Sequence, residues 1–257
     1  MSAPVTPAPE TLSSGQPALS EPQRIINTYV APSKTFADIR RSAKWWGPFL
    51  LTLIVSYAFS FSVGKKVTWE QVNQTQMQMA PESRRQQLEN LPPDQRARQE
   101  AISLKITKGI AVAIPFMATI FLIIVAAILM ATFKFGVGAE VGFWQSVAIV
   151  MYASLPGVIR YLLAIVVVWM GVQDPSDFMI QNPFGSNPGY YMSFHDTPRF
   201  LYSVASAVDV FMIWTLILTA IGFSVVTKKS RGTSMAIVFG WWLLFVLVSS
   251  GLGAAFA

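Results

Sequence analysis

Residues 199–226, RFLYSVASAVDVFMIWTLILTAIGFSVV, are long enough to cross a bilayer, yet they carry a carboxylate, Asp209, well inside the apolar run. A helix needs about 20 apolar residues to cross a hydrocarbon core about 30 Å thick. An acid held inside that core is costly, and is as a rule paired or functional. The one basic residue inside another apolar run is Arg160. Composition agrees with a membrane protein: 53% of residues are hydrophobic and only 12% charged, with a mean hydropathy of +0.47. Soluble domains carry about 25% charged residues.

Hydropathy places five spans, at about 46–63, 109–133, 143–171, 199–226 and 234–256. The fold class expected is all-α: an integral membrane bundle of five transmembrane helices in one domain over residues 24–257. Trp45 and Trp46 suit an interface, and Pro48 suits the first turn of span one. Pro115 can kink span two. Pro156-Gly157, just before Arg160, predicts a kink or local break in span three. Small residues four apart (Ala153 and Gly157, Ala220 and Ser224, Ser249 and Gly253, Gly251 and Ala255) suggest close helix packing.

Residues 1–23 are rich in Pro, Ser, Ala and Thr and are expected to form a disordered tail. They show no charged region followed by an apolar core, so span one is expected to act as the insertion signal. Pro32-Ser33 then starts a short amphipathic helix, with Ser33 as N-cap. Phe36, Ile39, Ala43 and Trp46 share one face, and Lys34, Asp38, Arg41 and Lys44 lie elsewhere, which reads as a helix lying at the headgroups. Residues 64–108 form a polar helical excursion between spans one and two. Pro81 and Pro92-Pro93 divide it into pieces at about 68–79, 81–90 and 93–108, the last running into span two. In the second excursion, 172–198, Asp174-Pro175 opens a short helix and Asn182-Pro183, Gly185 and Asn187-Pro188-Gly189 mark turns.

Counted over the whole chain, nine Lys and Arg flank the spans on each side and decide nothing about orientation. The local contrast does: Lys228, Lys229 and Arg231 sit between spans four and five, while Arg199 alone precedes span four. That places the 227–233 turn in the cytoplasm. Five spans then put the N-terminus inside and the C-terminus outside, in the plasma membrane.

Spans three and four are consecutive and antiparallel, so Arg160 and Asp209 are expected to reach a similar depth and pair midway through the bundle. The other reading puts Arg160 in a wet vestibule and leaves Asp209 protonated or bonded to hydroxyls. A proton or ion relay would need several polar groups in the membrane; here there are two charges with scattered Ser, Thr and Tyr. The chain has no cysteine and one histidine, His195, which reads as a solvated loop residue. It contains no HExxH, G-x-S-x-G or GxxxxGK[ST]. No catalytic, cofactor-binding or metal-binding residue is expected, and no basic stripe points to nucleic acid.

The segments PSKTFADIRR, YASLPGVI, NPFGSNPGYYMS and DVFMIWTLILTAIGFSVV resemble the Yip family, the Ypt/Rab-GTPase-interacting membrane proteins, in its bacterial branch. Asp209, Phe211, Trp214 and Gly222 match that family's Asp-x-Phe-x-x-Trp…Gly pattern, and Pro156 and Gly157 lie in the span-three segment. The resemblance implies a five-helix bundle with a cytoplasmic N-terminus, and supplies no catalytic residues. For eukaryotic members it implies membrane traffic through partner GTPases, a role that carries over poorly to a bacterial-type chain. The function expected is a non-enzymatic scaffold or organiser in the bacterial inner membrane, with lipid and other membrane proteins, or itself, as partners. A small-solute or ion permease using Arg160 and Asp209 is the alternative.

Overall fold

A computed structural model describes residues 18–171 and 178–255. Five of its helical stretches are long and apolar enough to cross a membrane: Trp46–Lys66, Pro93–Gly136, Phe143–Met170, Val210–Thr227 and Arg231–Ala255. Taken in chain order, the helices are α1 (Glu21–Val30), α2 (Pro32–Ile39), α3 (Trp46–Lys66), α4 (Trp69–Gln78), α5 (Glu82–Glu89), α6 (Pro93–Ala131), α7 (Phe143–Ala153), α8 (Pro156–Met170), α9 (Arg199–Ala207), α10 (Val210–Thr227) and α11 (Arg231–Ala255). No strand occurs among the described residues.

Proline punctuates the chain where it removes an N–H or forbids a helical predecessor. Pro81 and Pro92 are the caps before α5 and α6. The third piece of the polar excursion runs unbroken into span two, so α6 is one 39-residue helix that ends in a π-helical segment, Thr132–Gly136. Span three breaks at Ser154-Leu155, and Pro156 opens α8. Gly171, at φ 63°, closes α8 in the left-handed conformation that glycine adopts without a Cβ penalty.

Two expectations at the N-terminal end are corrected. Helix starts at Glu21, inside the expected 1–23 tail, because Ser20 and Gln23 form a reciprocal capping box. Residues 1–17 lie outside the described residues, as does the helix expected at Asp174-Pro175. The expected headgroup helix is instead the second arm of a hairpin, α1–α2, docked against α7 and α10. Its cap is Ala31 rather than Ser33, and it stops at Ile39, so Trp46 belongs to α3. Phe36, Thr35, Asp38 and Ile39 are all buried, so this arm has no consistently wet face.

The expected fourth span is also corrected. It is two helices, α9 and α10, broken at Val208-Asp209. Hydropathy sums side chains and is blind to backbone hydrogen bonding. Asp209 has extended backbone and caps α10, its carboxylate accepting from Phe211 N at 2.8 Å and Met212 N at 3.2 Å.

The main core lies between the basic turn and this break. It gathers Phe36 and Ile39 of the hairpin, Phe133 of the π segment, residues 147–153 of α7 and Phe223 of α10. Phe133 and Phe223 stack there, 4.5 Å between centroids. A second cluster, centred on Val63, Val72, Ala164 and Phe178, holds α3 and α8 to the polar excursion at the opposite end. Aromatic residues mark the level of the basic turn: Trp45 stacks on Trp46 and on Trp144, as residues of an interfacial belt do.

Candidate functional site

The break before α10 lies beside Arg160, about one turn into α8, and the loop carrying Gln181 and Ser186 packs against both. Arg160 Nη2 donates to the Gln181 carbonyl at 2.7 Å, and Arg160 Nε lies 3.6 Å from Asp209 Oδ2. At that distance the two charges attract but make no hydrogen bond. The buried Nε atom has no hydrogen-bond partner among the described residues. Ser186 Oγ donates to Asp209 Oδ2, and the Ser186 carbonyl accepts from Val210 N at 3.1 Å. The first free N–H groups of α10 are thus satisfied by the Asp209 side chain and the loop backbone, which is what lets an open helix end lie so far along an apolar stretch. Asn182 fixes the same loop, donating to Tyr202 Oη and Ser206 Oγ, both at 3.3 Å.

The depth of the site is set by helix length. From Thr227 at the basic turn, α10 runs 18 residues up to Asp209, about 27 Å at roughly 1.5 Å per residue. Arg160 lies 17 residues beyond Phe143, a comparable rise. Both charges therefore lie at a similar level along their helices, about 27 Å from the basic turn.

Around the pair lies a cleft of about 720 Å³, lined by Arg160, Asp209, Arg199 and Asn182 on its polar side and by Leu122, Phe211 and Met212 on its apolar side. Gly157 also lines it, and a Cβ there would meet open space. Phe211 meets Phe184 edge-on at 6.1 Å. The remaining motif residues face the other way, toward the hairpin. Tyr29 packs its ring edge-on against Trp214 at 5.8 Å and donates its hydroxyl to the Leu155 carbonyl at 2.8 Å, at the break before Pro156. Burial pushes the Tyr29 hydroxyl up to about 12, so it stays a neutral donor.

Gly222 is where α10 admits the hairpin. A Cβ on it would stand 2.5 Å from Ile149 Cγ2 and 3.0 Å from the Phe36 ring. Gly222→Ala should lower stability by about 1–3 kcal/mol through overpacking, read as a lower melting temperature in detergent. By contrast, a Cβ on Gly251 or Gly253 of span five would meet nothing within 4 Å among the described residues, so these two glycines are not themselves points of close helix approach there.

The sequence reading missed a second ion pair, more buried than the first. Arg24 and Asp38 are 2% and 4% exposed. Arg24 Nη2 lies 2.6 Å from Asp38 Oδ2 and Nε donates to the same oxygen at 2.8 Å. Arg41 Nη2 reaches Oδ1 at 2.5 Å. Thr28 and Thr35 both donate to the Arg24 carbonyl, and Tyr152 donates to Glu21 Oε2 at 2.6 Å. The capping box Ser20-x-x-Gln23 was the signal that would have announced α1 and brought Arg24 into a folded element.

Burial alone would raise the Asp38 carboxyl, but its hydrogen bonds from Arg41 and Arg24 outweigh that and hold it below the ordinary value. For Arg24, burial acts to lower the guanidinium, and its bonds to Tyr152 and Asp38 leave it raised. A carboxyl depressed in the folded state stabilises fully above its unfolded value, about 3.9, and that contribution is lost as pH falls through the folded value. Hydrogen-exchange protection of the α1–α2 amides, corrected for the intrinsic pH dependence of exchange, should therefore hold at pH 5 and fall only on acidification below the ordinary carboxylate range.

Five apolar helices, two of their courses broken in mid-chain and the breaks closed by a loop and a hairpin, define a polytopic membrane protein. The Yip1 domain family model matches residues 26–252. The chain belongs to the Yip1 domain family. No curated protein and no solved structure matches it.

Proposed function

We propose that this protein is a non-catalytic scaffold of the Yip type, acting through contacts with other membrane proteins or with copies of itself. The observation that supports it is a cleft closed on one side. Between Arg160 and the basic turn, residues 147–153 and Leu155 are at most 3% exposed, and Tyr29 sits across the break. A solute reaching Arg160 meets packed side chains, not a path. Spans two and five, meanwhile, bury only 17% of their apolar windows against 44% for span four. Broad flanks are thus left for lipid or for partner helices. The basic turn at Lys228 favours a cytoplasmic N-terminus and an outside C-terminus; the membrane proposed is a bacterial inner membrane.

Photo-crosslinking in cells from Phe121 on span two and Leu244 on span five tests this reading, with discrete protein adducts as the expected result. Monomer alone, both in crosslinking and after release in mild detergent, would overturn it. The permease reading draws on the same Arg160–Asp209 cleft. Proton flux in reconstituted vesicles that is lost in Asp209→Asn would favour it instead.

A further inference from the structure

We propose that the cleft at Arg160 is a lipid site, holding the headgroup and upper acyl chain of an anionic phospholipid from the leaflet opposite the basic turn. The inference goes beyond the scaffold reading and does not depend on it.

Charge argues first. Two guanidiniums, Arg160 and Arg199, line the cleft against one carboxylate, Asp209, leaving one formal positive charge. Asp209 does not fully satisfy Arg160: its oxygens are taken by Ser186 and the α10 N–H groups, and Arg160 Nε stays buried without a hydrogen bond among the described residues. Arg199 donates to the Met79 carbonyl at 3.1 Å and lies over the Phe194 ring at 4.5 Å, which holds its charge at the rim. A phosphodiester supplies one negative charge and several acceptor oxygens, and guanidinium is well suited to it.

Depth argues second. Arg160 and Asp209 lie about 27 Å from the basic turn, near the far edge of the hydrocarbon layer. The lining of the cleft continues on both sides of that level. Thr215 and Leu122 are nearer the bilayer centre, and Gly253 of α11 stands beyond the pair. Polar groups at the headgroup level, with an apolar slot beneath them, have the shape of a lipid and not of a free anion.

Access argues third. The cleft wall is built from span two (Leu122), span four (Met212) and span five (Gly253). Spans two and five meet at the level of Leu122, through Phe121 and Phe245, 5.7 Å between centroids, which closes the inner end of the cleft between them. Met212 is exposed, and a Cβ on Gly253 would meet open space, so the cleft opens sideways toward lipid.

The test uses the full chain in phosphatidylcholine vesicles containing either phosphatidylglycerol or phosphatidylcholine with a photoreactive carbene precursor high on one acyl chain. Labelling of peptides spanning Leu122 and Met212–Thr215 should be about fivefold stronger with phosphatidylglycerol, what one basic side chain contributes toward an anionic lipid. Arg160→Gln should remove that preference, and Arg160→Lys should keep part of it. Because Arg160→Gln also loosens the loop, Gly253→Trp provides a second arm: it fills the mouth without touching the pair, and should cut labelling while leaving the melting temperature unchanged. Equal labelling by both lipids, or labelling unchanged in both Arg160→Gln and Gly253→Trp, would overturn the proposal. So would competition by soluble glycerol 3-phosphate as effective as that by unlabelled phosphatidylglycerol, since the site would then take a free anion.

Discussion

Asp38→Ala should release the α1–α2 hairpin from the bundle, at a cost of roughly 3–5 kcal/mol, as expected when one partner of a buried ion pair is removed. Arg24 would be left 2% exposed with its guanidinium facing, among the described residues, no carboxylate closer than Glu21, at 3.7 Å. The loss propagates because the hairpin is stitched to distant parts of the chain. Tyr29 reaches Leu155 and Trp214, Glu21 reaches Tyr152, and Phe36 packs at Gly222. The natural chain has no cysteine, which makes the measurement clean. A cysteine in place of Thr28, which is 0% exposed, should react with maleimide only when the hairpin opens. Labelling should rise from near zero to near completion with Asp38→Ala. The double variant Arg24→Met, Asp38→Leu should stay largely protected, since an apolar replacement of similar volume removes the stranded charge. Equal labelling rates in the unaltered and Asp38→Ala chains would show that the pair does not hold the hairpin.

Asp209→Ala should have the second largest effect, on the order of 3 kcal/mol, because three losses coincide: a helix cap, a hydroxyl partner and a counter-charge. Asp209→Asn separates them. Its side-chain oxygen still accepts from Phe211 N and Met212 N, so the cap survives while the charge opposite Arg160 is lost. Melting temperatures should therefore order as unaltered, then Asp209→Asn, then Asp209→Ala. A cycle combining Arg160→Gln with Asp209→Asn should give a coupling of about 0.5–1.5 kcal/mol, since a pair at 3.6 Å that makes no hydrogen bond is worth less than a buried bidentate one. Full additivity would mean that the two charges do not sense each other.

The contrast between the two pairs shows where reading a sequence stops. Asp209 drew attention because it interrupts an apolar run, and its neighbour Arg160 was found by the same logic of cost. Arg24 and Asp38 sit in stretches polar enough to pass as solvated, so nothing in their local composition marks them as buried. Only the packing of α1 against α2, and of both against α7 and α10, removes them from water. The break before Asp209 was open to inspection as an N-cap, but apolar residues on both sides outweighed it, and hydropathy does not count backbone donors.

Length and apolarity alone determined that this chain spans a membrane five times with helices, because hydrocarbon offers the backbone no partner and forces each crossing to satisfy itself. Proline likewise determined the three-part excursion and the break in span three, because its ring acts on its own neighbours. The tertiary structure alone decided what each charge meets and which helix ends can stay open. Those outcomes depend on groups such as Glu21 and Tyr152 or Ser186 and Asp209, which are brought within hydrogen-bond reach only once the bundle has closed.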